Sequence, residues 1–115
     1  MKDWKTLRLR DKTRELLEII SNTKHFDFVE AILLFGSEAR GEARLTSDVD
    51  LALISTRPLT VRERLSILKN APEDLLCDVD VRIACLRKES LSTTRVLDVG
   101  HSIKKEGVVI YENLL

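Results

Sequence analysis

Residues Ala31 to Ile54 read AILLFGSEARGEARLTSDVDLALI, and the fold follows from how this stretch is parsed. Ala31 to Phe35 is a continuous apolar run stopped by Gly36, the pattern of a short strand buried on both faces. A second run from Val49 to Ile54 opens with alternation, so Asp48 and Asp50 point to one face and Val49 and Leu51 to the other. Carboxylates two residues apart on a strand have Cβ atoms about 6 to 7 Å apart and repel unless a cation lies between them. Oxygen ligands on a rigid element, with coordination positions left for water and phosphate, suit a hard divalent ion.

The turn between the two runs supplies a complementary feature. Gly36 lets a phosphate approach the backbone, and amides at such a turn form an anion-binding nest. Ser37 adds a hydroxyl donor, and Arg40 a guanidinium fork matched to phosphate oxygens or to bracing the loop; Gly41 permits a second sharp turn. Arg44 and Arg82 are weaker candidates of the same kind, and Ser47 is placed to orient Asp48 or to satisfy a loop amide. Gly36 and Gly41 have the spacing of a P-loop, but Glu42-Ala43 stands where that motif needs Lys and then Ser or Thr. An anion cradle beside a carboxylate pair describes a site for a metal-bound polyphosphate.

At Gly36-Ser37, Ala39-Arg40-Gly41 and Ser47-Asp48-Val49-Asp50-Leu51 the sequence resembles the DNA polymerase β-like nucleotidyltransferases. Within them it is most similar to the minimal nucleotidyltransferases, usually paired with a helical HEPN protein as toxin and antitoxin. Weaker similarity continues through Asp78-Val79-Asp80-Val81 and Gly107-Val108-Val109-Ile110-Tyr111. The resemblance implies a mixed sheet, metal-binding roles for Asp48 and Asp50, and nucleotide binding by Gly36, Ser37 and Arg40. It also implies Mg²⁺, transfer of AMP from ATP, and a tyrosine on the HEPN toxin as acceptor.

A third carboxylate would complete the set. Leu75 to Cys85 reads as a third strand, with Val79, Val81 and Ile83 on one face and Asp78, Asp80 and Arg82 on the other. Three carboxylates can hold two Mg²⁺ ions about 3.5 to 4 Å apart, a clamp for in-line phosphoryl displacement. Asp80 is the choice, because Val79-Asp80-Val81 fits the family's apolar-Asp-apolar strand; Asp78 is the alternative. Arg82 shares a face with Asp80 and offers a neutralising charge when metal is absent.

Around this centre the chain is a small α/β (α+β) domain, a few-stranded sheet with helices packed on it. Its 115 residues are expected to form one domain, 43% apolar and 33% charged, with an aliphatic core because aromatics are only 4%. A helix is expected from Asp11, its N-cap, to about Asn22. Thr60-Val61-Arg62-Glu63 is a capping box opening a second helix, with Val61, Leu65 and Leu68 on one face, ended at Asn70-Ala71-Pro72. A third helix is expected from Thr93 or Thr94 to Lys105, with Gly107 at its C′ position, and a last short strand from Val108 to Tyr111.

Several function classes are excluded or set aside. No apolar run approaches the about 20 residues that span a bilayer, and Met1 to Lys5 is not a signal peptide, so a cytoplasmic protein is expected. Nineteen basic and nineteen acidic residues argue against long nucleic acid as partner. Cys77 and Cys85 lack zinc spacing and read as reduced, buried hydrophobes. His25 and His101 read as surface or packing residues, and Trp4 and Tyr111 as packing anchors. A chain this short is expected to lack a second domain for a large acceptor, so a partner or another subunit must supply that surface. The alternatives are a non-catalytic or nucleotide-sensing antitoxin that neutralises its partner by contact and transfer to a small molecule of the aminoglycoside type.

Overall fold

The computed structural model describes residues 4–44, 48–87 and 107–113. Among these residues four strands form one mixed sheet in the order β3-β2-β1-β4. They are β1 (Val29–Phe35), β2 (Val49–Ser55), β3 (Val81–Arg87) and β4 (Val108–Glu112). β1 pairs antiparallel with both β2 and β4, while β2 and β3 run parallel. The two apolar runs are thus the two central strands, and the expectation of burial on both faces is met. On one face Ile32, Leu34, Leu51 and Leu53 pack against Leu16, Leu17 and Ile20 of α1 (Asp11–Ser21). On the other Leu33, Ala52 and Ile54 form a second cluster with Phe35, Leu86 and Val109 around it.

Parallel β2 and β3 need a crossover. It consists of α3 (Val61–Leu65), a 3₁₀ turn (Ser66–Leu68) and α4 (Glu73–Asp78). The Thr60 box forms as read: Thr60 Oγ1 accepts from the Glu63 N–H, and Glu63 Oε1 accepts from the Thr60 N–H at 2.9 Å. Arg57 stacks over the Phe28 ring at 3.9 Å and donates to Glu63 Oε2 at 2.6 Å, bracing the same turn from outside. The helix it starts is shorter than expected, and Val61 and Leu65 are exposed; the buried residue of this segment is Ile67, in the 3₁₀ turn.

Two further expectations are corrected. Arg10, not Asp11, occupies the N-cap of α1, and Asp11 lies in its first turn, where a carboxylate offsets the helix dipole. More consequentially, Leu75 to Asp78 is not strand. Pro72, at φ −62°, caps α4, and Glu73 and Asp74 sit in its first turn, all of which favour a helix start over a strand. The third strand begins only at Val81. The helix read at residues 93–105 lies outside the described residues.

Trp4 is buried in the main core, and His25 is buried beside Tyr111, ring edge to ring face at 4.5 Å. His25 Nε2 bonds the Ile20 carbonyl oxygen at 2.9 Å. Burial disfavours its charged form and, with Lys69 nearby, holds its pKa below the ordinary 6.5, against the opposing pull of the Ile20 bond. A depressed imidazole pKa contributes stability that is complete above the unfolded-state value and lost as pH falls. Thermal melts should therefore show Tm falling as pH drops below about 6.5, and a His25→Phe variant should lose that segment of the pH dependence.

Candidate active site

The site forms where β1 ends and β2 and β3 begin, which the mixed pairing brings to one end of the sheet. Register places Phe35 opposite Asp50 and Asp50 opposite Arg82. Asp50 therefore lies beside the exit of β1, on the face away from α1. At that exit Gly36 takes φ +75°, and a Cβ there would collide with the Asp50 carboxylate. Both constraints select glycine.

Gly36 also starts α2 (Gly36–Ala39), a single turn that carries Ser37. It closes as a Schellman motif: the Gly41 N–H donates to the Glu38 carbonyl at 3.1 Å and the Glu42 N–H to the Ser37 carbonyl at 2.8 Å, with Gly41 at φ +72°. Thus Gly36 and Gly41 are the two ends of one rigid turn. Arg40 is exposed at its C-cap and pairs with Glu42 at 3.1 Å.

Sequence reasoning gave no sign of Glu38. Its side chain is 0% exposed, and Arg10 Nε stands 3.4 Å from its Oε2. Neither Glu38 oxygen has a hydrogen bond among the described residues, so compensation of this carboxylate rests on the guanidinium charge. Arg10 also donates from Nη1 to the Arg44 carbonyl at 2.9 Å. One side chain from the entrance of α1 thereby holds both the short turn and the segment after it. A pairing across 28 positions leaves no local pattern in a sequence.

Asp48 and Asp50 converge, as their spacing requires, on a single cation. Arg82 Nε lies 2.9 Å from Asp50 Oδ1 and 3.5 Å from Asp48 Oδ2. The Asp50 hydrogen bond and charge, with a further contribution from Asp48, hold the Arg82 pKa above its ordinary value. Two carboxylates meeting at one positive group, beside a turn with no side chain in the way, fit a single divalent ion held by Asp48 and Asp50.

The third carboxylate is placed less closely. Asp78 sits at the end of α4 and faces Lys12 of α1 at 3.8 Å, so it shares no strand face with Asp80. Asp80 is exposed just before β3, and its carbonyl accepts the Val49 N–H at 2.7 Å, tying the starts of β2 and β3 together. Among the described residues no three His, Cys, Asp or Glu side chains come close enough to hold a metal ion, so the expected three-carboxylate cluster is not assembled here. Ser47 lies outside the described residues.

The chain matches the family model "Polymerase beta, Nucleotidyltransferase" over residues 17–113. It belongs to that family of nucleotidyltransferases. No curated protein matches it by sequence. Among solved structures it is similar to a toxin–antitoxin with AMP-PNP (TM-score 0.55, 22% identity, covering 90% of this chain and 73% of that one). It is also similar to a mutant of the toxin–antitoxin MntA–HpeT (TM-score 0.55, 17% identity, 91% and 75% covered). A second mutant of that pair gives a TM-score of 0.52 at 20% identity, with 89% and 73% covered. These likenesses establish a shared fold, and the mixed sheet is the one the resemblance implied. Among the described residues no helix is long and apolar enough to cross a membrane.

Two substitutions test the architecture. Gly36→Ala should cost about 1 to 2 kcal/mol from its φ alone, plus the displacement of Asp50, read by urea denaturation. Arg10→Ala, which strands the buried Glu38 carboxylate, should cost about 3 kcal/mol or more, and adding Glu38→Gln should recover part of the loss.

Proposed function

We propose that this protein is a minimal nucleotidyltransferase that moves AMP from ATP to a hydroxyl on a partner HEPN toxin, and thereby acts as its antitoxin. The observation that carries the reading is the convergence of Asp48 and Asp50 beside the Gly36–Gly41 turn, in a chain of this family. The solved relative holding AMP-PNP supports an adenine nucleotide, and the toxin–antitoxin relatives support a toxin as partner.

In this reading Asp48 and Asp50 hold Mg²⁺, which supplies charge neutralisation at the reacting phosphate when bound. Gly36, Ser37 and Arg40 hold the β- and γ-phosphates. The backbone of the turn brings them close, Ser37 donates its hydroxyl, and Arg40 exchanges Glu42 for phosphate oxygens. The acceptor oxygen attacks the α-phosphorus in line, the bond to the bridging oxygen breaks, and pyrophosphate leaves. Asp80, just before β3, would be the third residue to hold the metal and would take the acceptor proton. Catalysis is positioning and electrostatics, as in phosphoryl transfer generally. A net charge of zero suits a protein acceptor better than long nucleic acid, and the chain works as one catalytic domain in the cytoplasm.

A second reading has one observation in its favour. Arg82 already neutralises Asp48 and Asp50, and among the described residues no third carboxylate stands with them, which suits an antitoxin that neutralises by contact alone. The two separate on incubation with labelled ATP, Mg²⁺ and the partner toxin. Label should appear on the toxin, and Asp50→Ala should reduce transfer about a thousandfold or more while leaving the circular dichroism spectrum unchanged. Full neutralisation by Asp50→Ala with no label on the toxin would establish the contact reading.

A further inference from the structure

The sequence offered Arg82 only as a weaker phosphate-binding candidate and as a neutralising charge, yet in the structure it holds the position that the divalent ion needs. It stands directly across the β2–β3 seam from Asp50, on the same face, and one nitrogen reaches an oxygen of each aspartate. The burial of the partners is unequal. The Asp50 side chain is 13% exposed and fixed beside Gly36, whereas that of Arg82 is 70% exposed on an edge strand. Asp48, at 36% exposed, stands between them, so Asp50 is the fixed member of the group and Arg82 the one that can leave. An ion pair as open as this one is weak, because water and salt screen it.

We propose that Arg82 is a placeholder cation that competes with the divalent metal and couples metal entry to the nucleotide. In the metal-free protein the guanidinium keeps two like charges together at the end of the sheet. A bare divalent ion must displace it with no new partner on offer. An ion arriving with a triphosphate brings phosphate oxygens, and the guanidinium fork pairs well with these. Arg82 then changes partner on the same face of the sheet and gives up no ion pair. Its action is therefore that of a specificity residue, favouring metal bound as the nucleotide complex over metal alone. This rests on Asp48 and Asp50 being the metal ligands of the proposed function.

Mn²⁺ binding followed by electron paramagnetic resonance, with and without a non-hydrolysable ATP analogue, tests it with no turnover involved. Arg82→Gln should bind Mn²⁺ alone about fivefold more tightly than the wild type, and the gain in Mn²⁺ affinity given by the nucleotide should shrink. Arg82→Lys, which keeps the charge but loses the fork, should lie between the two. An unchanged or weaker affinity for Mn²⁺ alone in Arg82→Gln overturns the proposal. Asp50→Asn separates the two levels of the argument. If it abolishes Mn²⁺ binding in the wild-type background while Arg82→Gln changes nothing, only the placeholder role falls. If it changes nothing, the aspartates are not the metal site and both readings fall.

Discussion

The register between β1 and β2 decides where every polar group of the site lands. Because the strands are buried on both faces, a slip of one residue would move a whole row of side chains across the sheet. The observed pairing sets Phe35 against Asp50, so the chain must turn away within contact of a carboxylate. Only a residue without a side chain can do so at this φ. The aliphatic core is in this sense the tool that holds Asp50 at the mouth of the turn, and the parallel seam with β3 then presents Arg82 to it.

Around that constraint the structure has few loose ends. The short turn is closed at its far end by the Schellman bonds and held from outside by Arg10, which reaches both Glu38 and the Arg44 carbonyl. Replacing a buried ion pair by apolar side chains is often neutral or stabilising. Its placement under the turn that carries Ser37 fits a role in fixing one geometry better than a role in raising stability.

What the sequence disclosed follows the range of the interactions involved. β1 and β2 were legible because continuous apolar runs bounded by Gly and Asp have few other readings, and the Thr60 box because its bonds span three residues. The Gly-Ser and Asp-x-Asp elements were legible for the same reason. Reading failed where two local patterns competed. Alternation from Asp78 to Arg82 suggested a strand, while Pro72, Glu73 and Asp74 favoured a helix, and the helix prevailed as far as Asp78. That outcome detached Asp78 from the site and left Asp80 at its margin. The apolar face read for α3 is exposed at Val61 and Leu65, since burial of this segment falls on Ile67. Glu38 with Arg10 was beyond local reading, because only the folded chain brings them together.

The pairing of β1 with β4 has a kinetic side. β2 reaches β1 across a short connection, but Ala31 meets Glu112 only after everything between them in sequence has looped back. Closing so long a loop costs entropy before any contact rewards it. Until β4 docks, a strand as apolar as β1 presents a bare edge of backbone N–H and C=O groups, the kind of surface that recruits a foreign strand. Crowded, half-folded chains are therefore most prone to clump along that edge, and the charged Glu112 that finally covers it marks the end of the hazard.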